Sequence, residues 1–429
     1  MSVIHAADLF CGAGGSSTGL RRIVDALGAQ LKLTAVNHWP TAVETHATNH
    51  PHARHVCESL DSIDPRRVTG GKLDLLWASP ECTHHSMARG GKPIADQSRS
   101  TAWHVLRWAE ALRPSWVIVE NVPEFQTWGP LGANLRPLAS RKGQTFEAWR
   151  QGLQSLGYHV EHRVLNAADY AAATSRRRLY VVARLDGGRA RGPIPWPTQT
   201  HAPIGTHSLF SDVHPWRGAR EIIDWSVAGT SIFHRPKPLA PNTLRRIAAG
   251  ARKFWGVELE PFLVPFYGER DGQSPRCHSL DMPLPTVVAS SKFGIVEPFL
   301  LGQQSGAEGR PVSQPTPTVA TSGAISLIEP FLVAFYGSGV NVESVRQPLR
   351  TVTTKDRFGL VQPAALDITF RMLKPHELSA AMGFPTGYQF SGTRTEQVKQ
   401  IGNAVEVNQA AALWQAPVEH VLGRTRRAA

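Results

Sequence analysis

Cysteine is scarce in this chain: four in 429 residues, at positions 11, 57, 82 and 277. No two of them form a CxxC pair, which argues against a zinc knuckle or a redox dithiol. So few in so long a chain read as reduced thiols of an intracellular protein, not as a disulfide framework. No apolar run approaches the roughly 18 residues that a membrane span needs. The opening MSVIHAADLFCGAGG has no basic region followed by a long apolar stretch, so no signal peptide is expected. The commonest nucleotide signatures are also missing. The glycine-rich stretch DLFCGAGGSSTGL departs from GxGxxG, and no GK[ST] follows it, which excludes an NTPase phosphate loop.

What is present points elsewhere. Hydrophobic residues make up 41% of the chain, enough for a real core, and the length suits two domains. The net charge of +12 suggests an anionic partner, with nucleic acid the first expectation.

The first part alternates strand and helix patterns. VIHAADLF, KLTAVN, KLDLLWA, SWVIVENV, YHVEHRVLNAADY and RRLYVVARL read as strands. STGLRRIVDAL, PTAVETHATNH, TAWHVLRWAEAL and TFEAWRQGLQSLG read as helices, the second opened by Pro40 and the last ended by Gly157. Such alternation predicts an α/β fold with a largely parallel sheet covered on both faces, and sites at the carboxyl ends of its strands. Near RGPIPWPTQTHAP the pattern stops and proline becomes dense, with one helical signal left, PNTLRRIAAGARKFW. There the chain repeats itself: EPFLVPFYG at 260–268 returns as EPFLLGQQSG at 297 and EPFLVAFYG at 329. The period of about 32 to 37 residues reads as duplicated β-hairpins in a small β domain, whose loops could also grip an extended ligand. Helical signals resume at RMLKPHELSAAMGF and RTEQVKQIGNAVEVNQAAALWQAPVEHVL. The expected organisation is therefore 1–195, an inserted 196–365, and a return at 366–429.

Four stretches carry chemistry. In DLFCGAGG, Gly12, Gly14 and Gly15 suit either a tight turn or a pocket where backbone approaches a ligand, with helix N–H groups beside it. In ASPECTHHS, Cys82 follows a strand end. Cys82, His84 and His85 lie too close in sequence to surround a metal easily, so no metal is expected; a nucleophile and an inert buried thiol remain as readings. VIVENV ends a strand on Glu120, costly to bury unless paired or functional; a capping role for Glu120 or Asn121 is the plainer alternative. TSRRR sets Arg176 and Arg178 two apart, so both could face one cleft, while a solvated basic turn is the alternative.

Taken together and in this order, these segments resemble the DNA cytosine-5 methyltransferase family. DLFCGAGG resembles its S-adenosylmethionine loop, SPECTHHS its Pro-Cys nucleophile loop, ENV its acid motif and TSRRR its QxRxR motif. RMLKPHELSAAMGFP resembles the segment after the target-recognition domain, and QIGNAVEVNQA the closing GNxV motif. The resemblance covers roughly residues 5 to 185 and 366 to 412. It implies a Rossmann-like methyltransferase fold, with a smaller β-rich target-recognition domain inserted at 196–365. It implies Cys82 as the thiolate that adds to carbon-6 of a flipped cytosine, Glu120 at N3, and Arg178 with Arg176 alongside the ring. For the cofactor, S-adenosylmethionine, it implies Phe10 facing adenine and Gly12, Gly14 and Gly15 making room for the methionine part. Asn403 and Val405 would close the same pocket, with Pro80 of the nucleophile loop beside it. His38 and Trp39 stand where the family has an acid and an aromatic, and either Glu58 or Ser59 where it has an acid near the adenine amino group. The implied partner is double-stranded DNA, with no membrane, a monomeric state and a cytoplasmic setting, nucleoid-associated or in a host if phage-encoded.

This sequence departs from the family at Glu81, where the second proline of Pro-Pro-Cys stands, and at Thr83, Thr174 and His38. Glu81 bears on the thiol pKa and on whether the donor is S-adenosylmethionine itself or a modified form. Competing readings are a non-catalytic DNA-binding relative and an RNA methyltransferase. Cys82, Glu120 and Arg178 together argue against the first, and the long inserted region argues against the second.

Overall fold

A computed structural model describes residues 2–80, 101–132, 138–186, 192–203, 212–233, 235–239, 262–265, 277–287, 293–302, 310–311, 325–326, 331–334, 341–344, 358–361 and 368–428. Two compact units are present. The first comprises Met1–Ile223, Leu280–Ser291 and Lys374–Ala429; the second comprises Asp224–Ser279 and Lys292–Leu373. Residues 196–223 and 280–291 thus pack with the first unit, inside the range expected for the insertion.

The first unit is built on a seven-stranded sheet. Its strands are β1 (Val3–Leu9), β2 (Gln30–Val36), β3 (Arg54–Val56), β4 (Leu75–Ala78), β5 (Trp116–Asn121), β6 (Tyr158–Asn166) and β7 (Arg177–Leu185). They lie in the order β3-β2-β1-β4-β5-β7-β6. The first five run parallel, and β7 inserts antiparallel between β5 and β6. The expected strands are all present. The short β3, and a helix over Pro65–Thr69, were not expected, because three and five residues are too few for a hydrophobic period to emerge.

Alternation along β1 explains the two layers. Ala7 and Leu9 join one core with Val105, Trp108, Val117, Val119, Phe146 and Trp149. Ile4 and Ala6 join the other with Leu20, Val24, Trp77, Trp116, Ile118 and Trp414. Both faces of β5 are buried, which is why WVIVEN reads as a continuous run and not an alternating one.

Helices α1 (Gly15–Ala26), α2 (Pro40–Asn49), α3 (Pro65–Thr69), α4 (Trp103–Leu112) and α5 (Gln144–Ser155) follow the sequence pattern, α3 excepted. After the insertion come α6 (Pro375–Ala381), α7 (Arg394–Asn403) and α8 (Val407–Ala428). Two expectations are corrected here. Arg371 and Met372 belong to a strand, Ile368–Met372, and the helix starts only at Pro375, where the ring fits the first turn. The long helical signal from Arg394 is two helices, broken at Ala404, whose backbone is extended (φ −64°, ψ 152°). The break lies where the chain packs on α1: a side chain on Gly15 of α1 would meet the Val405 carbonyl at 2.0 Å. Glycine therefore lets the α7–α8 junction press directly on the start of α1.

In the second unit, Phe262–Pro265, Phe293–Gly302 and Ile368–Met372 pair antiparallel in one sheet. Phe331–Ala334 lies between Asn341–Ser344 and Phe358–Val361 in a separate three-stranded sheet. The Phe-Leu of each of the three repeated segments is in a strand. The expected helix over PNTLRRIAAGARKFW lies outside the described residues.

Candidate active site

The antiparallel insertion of β7 gathers the site. Its first residues lie beside the last of β5, with Glu120 opposite Tyr180 and Asn121 opposite Leu179. A carboxylate ending one strand and arginines opening the next therefore meet, although 56 to 58 positions separate them, about the length of the β5–β7 crossover. Arg178 Nε lies 3.1 Å from Glu120 Oε1, and Arg176 Nη2 lies 3.5 Å from the same oxygen. Glu120 and Arg176 are buried, Arg178 is nearly so, and Arg177 between them is exposed. Of the two readings of TSRRR, this alternation is the one with two arginines turned inward.

Arg176 is held from behind. Its Nη1 donates to the Val287 carbonyl at 2.8 Å and to the Gly402 carbonyl at 3.1 Å. The residues before it are fixed as well: Ser175 N donates to Leu284 O at 2.6 Å, and Thr174 Oγ1 donates to Pro285 O at 3.2 Å. Asn121 is a brace. Its Nδ2 donates to the Pro80 carbonyl at 3.2 Å, and its Oδ1 accepts from Val122 N at 2.9 Å. The end of β5 is thereby tied to the last described residue before Cys82. Cys82, with Glu81, Thr83, His84 and His85, lies outside the described residues. Pro80 itself is buried.

The second cluster of expected residues lies at the carboxyl ends of β1, β2 and β3. Phe10 has φ +58°, Gly12 +53° and Gly14 +90°. Three left-handed residues within five make a tight, strained turn, and for an aromatic residue this backbone is uncommon. Among the described residues, a side chain on Gly12 would find only the Phe10 carbonyl, at 3.9 Å. One on Gly14 would be 2.8 Å from Tyr388 Oη, so there the space is filled by protein. Gly14 and Gly15 thus serve close packing, whereas Gly12 has no close packing partner among the described residues. A turn entering a helix N-terminus offers backbone N–H groups to an anionic group such as a carboxylate, and the sequence has no lysine-bearing phosphate loop there.

Trp39 caps α2, its N–H bonded to Asn37 Oδ1 at 2.9 Å, and the Lys399 ammonium lies 4.4 Å from its ring centroid. His38 is exposed beside it. Glu58 and Ser59, just past β3, are exposed; Ser59 Oγ donates to Asp61 at 3.0 Å and Ser62 Oγ lies 3.4 Å from Glu58. Asn403 is exposed at the end of α7 and Val405 is buried. Cys11 is buried, and burial with the nearby Asp8 pushes its thiol well above the ordinary range, so it is no candidate nucleophile.

Asp8 was not singled out in the sequence. It is buried in β1 and accepts from Ser16 Oγ and from Ser17 Oγ, the latter at 2.6 Å. Its Oδ1 finds no hydrogen-bond partner among the described residues. Burial pushes its pKa from 3.8 up to about 6, with the bonds from Ser16 and Ser17 acting the other way. A raised pKa means that the folded chain holds this proton more tightly than the unfolded one. The ionised group is therefore a penalty, absent below about 3.8 and growing to roughly 3 kcal/mol as pH rises through 6. Asp8→Asn is expected to gain stability over the parent chain as pH is raised from about 4 to 7. Urea denaturation of both proteins at the two pH values checks this, and a difference independent of pH contradicts it.

The profile of the family described as C-5 cytosine-specific DNA methylase matches residues 4–207 and 311–418, well over half of the chain. The chain belongs to this family. Among curated relatives, the Type II methyltransferase M.Sau3AI of Staphylococcus aureus is 25% identical over 190 residues, 42% of this chain and 43% of that one. M.AgeI of Thalassovita gelatinovora is 28% identical over 44% of this chain and 41% of its own, and M.XorII of Xanthomonas oryzae is 32% identical over 44% and 41%. The matched segments thus span less than half of each relative. Of solved structures, the S. pombe Dnmt2 methyltransferase superposes with a TM-score of 0.52 at 14% identity, over 98% of this chain and 99% of that one. A Spodoptera frugiperda DNMT2 variant gives 0.51 at 14% identity, over 97% and 99%. At that identity the likeness is one of fold, the Rossmann-like methyltransferase fold seen here.

Among the described residues, no group of three or more His, Cys, Asp or Glu side chains could hold a metal ion, and no helix is long and apolar enough to cross a membrane. Asn121, Asp8 and Tyr388 were missed as site-supporting residues. Asn121 had a signal, since it follows Glu120 at a strand end. Tyr388 had none, because its partners are distant in sequence, and Asp8 reads in sequence only as a polar residue within an apolar strand, although its partners Ser16 and Ser17 lie in the adjoining glycine-rich stretch.

Proposed function

We propose that this chain is an S-adenosylmethionine-dependent DNA (cytosine-5)-methyltransferase. The observation that carries the reading is the buried Glu120 carboxylate with Arg176 and Arg178 on one oxygen, at the strand end that Asn121 ties to Pro80. A carboxylate so placed can hold N3 of a cytosine and share a proton with it, while the arginines keep it oriented. Cys82, two residues beyond Pro80, is the nucleophile. Its thiolate forms a bond to carbon-6, and the electron pair displaced toward carbon-5 makes that carbon reactive. S-adenosylmethionine would be held at Phe10, Gly12, Trp39 and Asn403, and would supply the methyl group that bonds to carbon-5, leaving as S-adenosylhomocysteine. A base then takes the carbon-5 proton, the pair reforms the ring double bond, and the thiolate leaves. A cytosine in a duplex must be flipped out for this chemistry, and the basic surplus supplies phosphate contacts.

Residues 224–279 and 292–365, the part of the insertion in the second unit, are assigned to target recognition. Their described strands form antiparallel sheets separate from the catalytic one, a scaffold of the kind whose loops read base edges. Double-stranded DNA containing 5-fluorocytosine at the target is expected to trap the enzyme covalently. Fluorine cannot leave as a cation, so elimination stops with the thioether intact. A denaturing gel with cofactor present reads the shifted band, and active enzyme giving no such band contradicts addition at carbon-6.

A further inference from the structure

The turn from β1 to α1 carries Phe10 at φ +58°, a left-handed backbone that costs energy for a residue other than glycine and must be held by its surroundings. That support comes from a partly buried cluster behind the loop. Tyr388 Oη donates to the Ala13 carbonyl at 2.5 Å. Thr18 Oγ1 donates to the Gly14 carbonyl at 2.7 Å. His50 Nε2 lies 3.1 Å from Thr18 Oγ1 and 3.3 Å from Tyr388 Oη. A hydroxyl has a single proton, and both hydroxyls direct theirs to loop carbonyls. Neither can donate to His50. The imidazole must therefore carry its proton on Nε2 and donate to the two oxygens, locking both hydroxyls toward the loop. Burial lowers the His50 pKa to about 4, so this neutral tautomer persists at ordinary pH. The cluster is itself held: Tyr388 packs with Phe384 and Phe390 at centroid distances of 4.6 and 5.3 Å, and the His46 ring lies 4.6 Å from His50.

We infer that Tyr388, Thr18 and His50 are positioning residues for cofactor binding: by fixing the Ala13 and Gly14 carbonyls they hold the Phe10–Gly14 turn in the shape that receives S-adenosylmethionine. The inference rests on the proposed function. None of the three needs to touch the cofactor, because they lie on the packed side of Gly14, while Gly12 meets no other side chain among the described residues.

The test is calorimetric binding of S-adenosylmethionine and of S-adenosylhomocysteine to the full chain, with turnover measured beside it. Tyr388→Phe removes one hydrogen bond and strands a carbonyl, so the Kd for both ligands is expected to rise about five- to tenfold. The KM for the cofactor should rise in step, with kcat at saturation within about twofold of the parent, the signature of lost ground-state organisation. His50→Gln places an amide N–H near the position of Nε2 and should bind nearly as the parent. His50→Leu fills similar space without a donor and should be weakened like Tyr388→Phe. If Tyr388→Phe fails to fold, the His50 pair decides. Equal binding by all variants overturns the inference, as does equal weakening of His50→Gln and His50→Leu, which indicates packing alone. A parent chain that binds neither ligand overturns the proposed function, and the clamp with it.

Discussion

Cys82→Ser is expected to abolish methylation while leaving DNA binding within about threefold of the parent, since affinity comes from phosphate and base contacts elsewhere. The two effects separate because the thiolate is needed only for the covalent step. A serine hydroxyl is far more basic than a thiol and gives almost no alkoxide at neutral pH, so addition to carbon-6 loses its nucleophile. Removing an activated nucleophile costs on the order of four to six powers of ten in kcat. Methyl transfer from tritiated S-adenosylmethionine to a DNA duplex measures the loss, and a gel shift with the same duplex measures binding. Turnover by Cys82→Ser within tenfold of the parent would sink the assignment. Loss of binding together with turnover would place Cys82 in the fold and not in the chemistry.

How much of this was legible in the sequence depends on the range of the interaction. Six strands of the catalytic sheet were readable from runs or alternation of apolar residues, and β5 is buried on both faces, whereas the three-residue β3 was too short to read. The parallel order followed from the alternation with helices. The meeting of Glu120 with Arg176 and Arg178 was suggested by motif order, but its physical cause is the antiparallel pairing of β7 against β5. Nothing in the local pattern of RRLYVVARL distinguishes an antiparallel strand from a parallel one. The break between α7 and α8 was hidden for a similar reason. GNAVEV is compatible with helix, and the junction packs on Gly15, nearly 400 positions earlier. Leu280–Ser291 was read as part of the repeat because LPTVVAS matches its copies, yet Leu284 and Val287 bond to the arginine segment in the first unit. Sequence similarity between repeats does not report which copy has been taken for another use. The cluster of Tyr388, Thr18 and His50 was illegible altogether, since each residue is ordinary and only their convergence carries meaning.

Glu120→Gln is expected to lower kcat by about two to four powers of ten, the usual worth of a proton-sharing group aimed at developing charge. The amide has nearly the shape of the carboxyl, so cofactor binding at the ends of β1 and β2 should be unchanged. Two further consequences follow from the geometry. Arg176 and Arg178 lose the carboxylate that faces both of them, and removing one partner from a buried charged cluster costs about 3 to 5 kcal/mol when nothing else compensates. Here the loss should be smaller. Arg176 keeps the Val287 and Gly402 carbonyls and Arg178 keeps the Arg177 carbonyl, so each guanidinium retains an acceptor. Thermal denaturation should therefore show a folded variant with a modestly lowered Tm, and its turnover can be compared with the parent at a temperature where both are folded. Trapping by 5-fluorocytosine DNA should slow along with kcat, because charge develops on the ring during addition of Cys82, before the methyl group moves. If turnover falls but the rate of trapping does not, Glu120 acts after addition, and its assigned place at N3 is wrong. If neither falls by tenfold, the carboxylate serves only to neutralise Arg176 and Arg178.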